Sequence, residues 1–270
     1  MDGLNRKGES ALHIATEKRL LPNVCRLLAY GADINIQNSK TGDTPLHYAV
    51  AGHWKEGIEL LLEECAAVNV LNSRTGDTPL HYAVAGHWKE GIQLLLKEGA
   101  RLGYSKTGDT PLHYAAKSLW KEGIELLLEK QDYMDIWNRK TGDTSLHYAT
   151  TSLWKEGVEL LLEKGVDVNI KNKKTGDRPL HYAAAGHWKE GIELLLEKGA
   201  DRKIANAQGL LPRDIAVRSG KRISRLEPSA VSRIYQTIRF GFGKDLNTGG
   251  SGQPERHRQS KKIFENGNAG

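Results

Sequence analysis

The side chains best suited to chemistry recur at near-fixed intervals. His47, His81, His113, His147 and His181 stand 32–34 residues apart. Several imidazoles suggest a metal site, whose ligands must converge to about 2 Å from one ion. This spacing instead gives one histidine to each repeating segment, about one segment thickness from the next, too far to share an ion. Closer pairs such as His47 and His53 lack cysteine or carboxylate company. Cys25 and Cys65 are the only thiols. Cys25 falls on an apolar helix face, and neither cysteine has a histidine arranged to activate it. No Walker-type loop, Gly-x-Ser-x-Gly or His-Glu-x-x-His motif occurs. The recurring Thr-Gly-Asp reads as a turn, since its aspartate would repel a phosphate. No catalytic, cofactor-binding or metal-binding residue is assigned, and the chain is read as a non-enzyme.

The elements carrying these histidines are tandem copies. TGDTPLHYAVAGHWKEGI at 41–58 recurs letter for letter at 75–92, with near copies starting at Thr107, Thr141 and Thr175. Degenerate copies are KGESALHIA at 7–15 and QGLLPRDIA at 208–216. Units are expected near 7–40, 41–74, 75–106, 107–140, 141–174, 175–207 and 208–240, the last as a C-terminal cap. A period of this length indicates a stacked array, and atypical end units suit one, because each end has a face in water. Within a unit, Thr44-Pro45 opens a first helix, with threonine as N-cap and proline in the first turn. Leu46, Ala49 and Val50 share its apolar face. A break at Gly52-His53 precedes a second helix through Ile58 and Leu60-Leu61-Leu62. That helix ends near a Gly-Ala such as Gly99-Ala100, and an extended finger with a polar turn follows. A leucine here is worth about 1.5–3 kcal/mol only if a neighbouring unit covers it.

The pattern G-x-T-P-L-H-x-A, a helix ending in Leu-Leu-Leu, then Gly-Ala-Asp-Val-Asn resembles the ankyrin repeat. The resemblance covers about 7–216 and fades through 240. It implies an all-α solenoid of stacked antiparallel helix pairs with hairpin-like finger loops. It also implies that the tandem histidine bonds near the threonine cap. The family's inter-helix Gly-His falls on His53-Trp54, His87-Trp88, Leu119-Trp120, Leu153-Trp154 and His187-Trp188, so a tryptophan column replaces the usual histidine. Glycines at 57, 91, 123, 157 and 191 stand where the family prefers a branched aliphatic, which reads as room for the indole.

The class of protein is bounded by composition. The chain has 270 residues, 27% charged and 39% hydrophobic, with a net charge of +6. No run of 18 apolar residues could span a membrane, and the first residues do not resemble a secretory leader. Two cysteines fit a reducing, intracellular, cytoplasmic setting, with a nuclear one open. The charge is uneven: residues 218–270 carry +7 and the rest −1.

The resemblance implies a partner protein lying across fingers and inner helices. Fingertips carry Lys40, Arg74, Lys106, Lys140 and Lys174, each three residues before Asp43, Asp77, Asp109, Asp143 and Asp177. Two readings stand: a charged ladder complementary to a partner, or solvated turns whose pairs are worth about 0–1 kcal/mol. The tyrosines at 48, 82, 114, 148 and 182 and the tryptophan column divide likewise between packing and binding. Base stacking would need exposed rings beside unopposed cations, and Glu56 and its equivalents oppose Lys55 and its equivalents. Irregular units add Tyr104, Lys117, Tyr133, Met134 and Trp137 in mid-array, where exposed aromatics resemble interface anchors or repeat drift. A capping helix is expected around Ser229 to Ile238, and a disordered basic tail over 241–270. The expected function is a non-catalytic, monomeric interaction scaffold with no cofactor. The alternative is nucleic-acid or anionic-surface binding by the basic region 218–262.

Overall fold

The computed structural model describes residues 2–129, 135–222 and 237–238. Short helices alternate with fingers along the chain. The inner helices are α1 (Ala11–Glu17), α3 (Pro45–Ala51), α5 (Pro79–Ala85), α7 (Pro111–Lys117), α9 (Ser145–Thr151) and α11 (Pro179–Ala185). Each is followed by an outer helix: α2 (Leu21–Ala29), α4 (Lys55–Glu63), α6 (Lys89–Lys97), α8 (Lys121–Leu128), α10 (Lys155–Glu163) and α12 (Lys189–Glu197). The helix α13 (Pro212–Arg222) closes the described order. Each inner helix packs on the next, from α1 through to α13. The core is therefore a line rather than a ball, with Leu46, Ala49, Val50, Ile58, Leu61 and their equivalents at its centre. Among the described residues there is no strand, only a single bridge between Trp137 and Thr144.

The expected N-caps form, with an addition that explains the histidine. Thr44 precedes α3 in an extended conformation, and the His47 ring reaches back to it in the manner of a capping box. The same arrangement opens α1, α5, α7 and α9. Arg178 stands in the threonine position before α11 and has no oxygen to accept a bond, so only the His181 half remains, through the Arg178 N–H at 3.2 Å.

The break between helices turns on a residue with positive φ. Arg19, His53, His87, Leu119, Leu153 and His187 all have φ between 50° and 55°. Gly52, Gly86 and Gly186 stand one place too early, with φ near −80°. The turn is therefore made by residues that pay roughly 1 kcal/mol or more for a left-handed conformation. The tryptophan after it is buried or half-buried against the outer helix. A Cβ on Gly57, Gly91, Gly123, Gly157 or Gly191 would lie 1.8–2.1 Å from the Cε3 of the tryptophan three residues before. The glycine is thus the space the indole occupies. Cys25, expected on an apolar face, is exposed beside the buried Val24. The capping helix expected around Ser229 and the tail over 241–270 lie outside the described residues, except Thr237 and the buried Ile238.

Replacing glycine by alanine in a helix ordinarily stabilises it by about 1 kcal/mol. Gly157→Ala should instead destabilise by about 1–3 kcal/mol in urea unfolding. In a Trp154→Ala background the same change should become stabilising. A stabilising Gly157→Ala in the otherwise unaltered chain would overturn the steric account.

Candidate interaction surface

The tandem histidines, most of the tyrosine hydroxyls and the fingertip aspartates belong to the junctions between one unit and the next. The His47 Nδ1 faces the Thr44 N–H at 3.2 Å and the Thr44 hydroxyl at 2.9 Å. An amide N–H can only donate, so Nδ1 holds a lone pair. On the other side, Nε2 lies 3.1 Å from the carbonyl of Asp77 in the next finger. A carbonyl can only accept, so Nε2 carries the proton. The ring is a neutral strut between units, and His13, His81, His113, His147 and His181 repeat the geometry. Burial lowers the pKa of all six, with His113 brought down to about 4. Metal ligation would need the Nδ1 or Nε2 that these bonds occupy, and no group of metal-ligating side chains occurs among the described residues.

The tyrosines pack onto the same struts. The Tyr82 ring meets His47 edge-on at 4.9 Å, and Tyr48, Tyr114, Tyr148 and Tyr182 meet the preceding histidine in the same way. Tyr82 OH donates to Asp43 Oδ1 across the junction, and Tyr182 OH does so to Asp143. Burial and then the carboxylate raise the Tyr82 and Tyr182 phenols far above their ordinary value. Two tryptophans stack on the preceding unit's break residue, His53 on Trp88 at 4.9 Å and His87 on Trp120 at 4.7 Å.

An asparagine completes every such junction except the one at Asp77, where the third unit has none. Asn72 Oδ1 accepts from the N–H groups of Arg74 and Thr75, at 2.7 and 2.9 Å. Its amide donates to Asp43 Oδ1 at 2.6 Å and to Thr41 O at 3.1 Å. Asn138, Asn172 and Asn206 likewise donate to Asp109, Asp143 and Asp177, each at 2.6 Å. Gly42 has φ of 81°, and a Cβ there would lie 2.7 Å from Asn72 Oδ1. The Thr-Gly-Asp turn is thus shaped to receive the next unit. Backbone bonds also link successive tips, from Ser73 N to Gly42 O and from Lys173 N to Gly142 O.

A family model for ankyrin repeats matches three times, over residues 12–105, 89–172 and 155–226. The chain belongs to the ankyrin-repeat family. It is similar to the ankyrin repeat domain of Bcl-3, described as a unique member of the IkappaB protein family. The two share 28% identity over 86% of this chain and 100% of that one, with a TM-score of 0.73. The human ASB11 ankyrin repeat domain is 29% identical over 87% of this chain and 99% of that one, with a TM-score of 0.65. No curated protein matches. Ankyrin repeats as a class are protein-interaction modules.

Against this scaffold the two halves of the fingertip ladder separate. Asp43, Asp109, Asp143 and Asp177 accept from the next unit's asparagine, and Asp77 accepts from Tyr114 OH at 3.0 Å. Lys40, Arg74, Lys106, Lys140 and Lys174 are exposed, and none pairs with the aspartate three residues on. Arg74 and Lys106 reach back to the carbonyls of Ser39 and Ser73, at 3.4 and 2.5 Å. Lys117, standing where α3 and α5 have alanine, binds Asp109 at 2.6 Å and lies 4.6 Å over the Tyr148 ring. Tyr148 OH consequently pairs with Thr141 rather than Asp109. Burial alone would raise the Asp109 pKa, but Lys117, Thr107 and Asn138 outweigh it and hold the carboxyl below its usual range. Tyr104 lies half-buried under Arg139 at 4.0 Å, and Trp137 is exposed under Lys173 at 4.3 Å. Tyr133 and Met134 lie outside the described residues.

The buried histidines set a pH dependence. Their folded pKa values are lowered, so the unfolded chain binds more protons below its ordinary histidine value near 6.5. Stability should therefore be flat above pH 7 and fall as pH drops from about 6.5 to about 4, by up to about 1.4 kcal/mol per pH unit per histidine. Urea midpoints across this range check it, and a midpoint unchanged between pH 7 and 5 would contradict the neutral-strut assignment.

Proposed function

We propose that the chain is a non-catalytic interaction scaffold, intracellular and monomeric, that presents its fingers and inner helices to another protein. One observation carries this reading. The strut histidines, the aspartates and most tyrosine hydroxyls are engaged between units, while Lys40, Arg74, Lys106, Lys140 and Lys174 stay exposed on tips held by backbone bonds. Tyr104, Lys117 and Trp137 are the departures from the repeat on the same side of the stack. A surface held by its own repeats loses little conformational freedom on binding, which lowers the cost of association. Catalysis has no supporting arrangement among the described residues: His13, His47, His81, His113, His147 and His181 have both ring nitrogens engaged. Among the described residues no helix is long and apolar enough to cross a membrane.

The test immobilises the full chain and a full-length variant with Arg256, Arg258, Lys261 and Lys262 changed to Gln, then captures protein from lysate. Discrete proteins held by both at high salt, and reduced by Tyr104→Ala with Trp137→Ala, are the expected result. Capture limited to the chain with its basic tail intact, rich in nucleic acid and stripped by salt, would transfer the function to residues 218–262.

A further inference from the structure

We propose that the tips of the fingers before α9 and α11 bind an acidic peptide segment of the partner, with one apolar side chain of that segment seated beside Trp137. The inference rests on the scaffold reading and names the chemistry the scaffold would select. The fingertips before α3, α5 and α7 carry Ser39-Lys40, Ser73-Arg74 and Ser105-Lys106, and those before α9 and α11 carry Arg139-Lys140 and Lys173-Lys174. Along these five near-identical copies the cation is doubled only on the tips before α9 and α11, which copying of a neutral turn does not explain. Lys171 adds a further exposed cation at the base of the second tip.

The carboxylates of the two turns are taken up elsewhere, while Asp135 lines the neighbouring cleft without pairing with a described cation. Asp143 and Asp177 accept from Asn172 and Asn206 of the following units. None of Arg139, Lys140, Lys171, Lys173 and Lys174 forms an ion pair with a described residue. Two cationic tips side by side repel each other, and a strand of carboxylates laid across both would relieve that repulsion while forming charge-assisted bonds. Arg139 and Lys173 are held in place through their backbone N–H groups, which donate to Gly108 and Gly142 of the preceding tips. Their side chains rest on Tyr104 and Trp137 only by exposed cation–π contacts. Such contacts are weak enough to yield to a carboxylate, or to persist while the remaining N–H donors bind one.

Beside these tips is a small cleft lined by Trp137, Ile170, Thr144, Asp135, Lys171 and Lys173. Its floor of indole and isoleucine suits an aliphatic side chain, and its ammonium rim suits flanking acids. One detail disfavours a nucleic acid: Lys173 covers a face of the Trp137 ring on which a base would have to stack.

The probe is a fluorescein-labelled dodecapeptide of glutamates with two central leucines. Fluorescence anisotropy follows its binding to the full chain carrying the Gln substitutions at 256, 258, 261 and 262, which removes the tail's contribution. Saturable binding is expected. Arg139→Glu with Lys173→Glu should weaken it by about tenfold or more, and Lys140→Glu with Lys174→Glu, which touch no ring, should weaken it similarly. Lys40→Glu with Arg74→Glu should change it less than about twofold. Trp137→Ala, or serine in place of the peptide leucines, should cost about threefold or more. No saturable binding, equal losses from every charge-reversed pair, or displacement of the peptide by an oligodeoxythymidine that binds more tightly would each overturn the proposal. If the peptide fails while the same tail-altered chain still retains discrete proteins at high salt, this inference falls and the scaffold stands. If that capture also fails, the scaffold reading falls with it.

Discussion

A helix of seven residues followed by one of nine has no partner for its leucines except another copy of itself. Every other feature of the molecule follows from the junction between copies. Apolar burial draws the units together, but it would tolerate sliding, because leucine on leucine is not directional. Register comes from polar groups that can be satisfied in one position only. The histidine strut needs a particular carbonyl of the next finger, and the aspartate needs the next asparagine or, at Asp77, the next tyrosine hydroxyl. An unpaired buried donor or acceptor costs about 1–3 kcal/mol, so a misplaced unit loses several such terms at once.

This constraint decides what is left for function. Groups that bridge units are repeated because each junction must be rebuilt, and repetition alone therefore says nothing about ligands. Departures are the informative positions. Lys117 replaces an alanine, takes Asp109 and leaves Tyr148 to pair with Thr141. Arg139 and Lys173 replace the serine of the earlier tips and cover Tyr104 and Trp137. These changes fall on the finger side of the stack between α7 and α11, where the structure can absorb them without disturbing the histidine struts.

Much of the architecture was legible in the sequence because its signals are local and copied. Thr44-Pro45, the Leu-Leu-Leu run and the period itself each report on one unit. The pairing of Trp154 with Gly157 was also readable, since both lie on adjacent turns of one helix start. The asparagine column was not. Asn72 looks like any turn residue until Asp43, 29 residues earlier, is seen to accept from it. The inward role of the aspartates was hidden for the same reason: a Lys-x-x-Asp spacing suggests a local pair, whereas the true partner lies in the next unit. The exposure of Cys25 and the left-handed turn at His53 rather than Gly52 depend on how each helix sits against its neighbour, which no single-unit pattern states.

The central claim is that the aspartate of each fingertip holds units together while the cation three residues before it faces outward. Urea unfolding midpoints of Asp143→Ala and Lys140→Ala, measured side by side at pH 7.5 (about one unit above the ordinary histidine value), test it most directly. The account requires a clear loss for Asp143→Ala, which strands the amide of Asn172 and the hydroxyl of Tyr182, and no measurable change for Lys140→Ala. Equal, small shifts from both would contradict it.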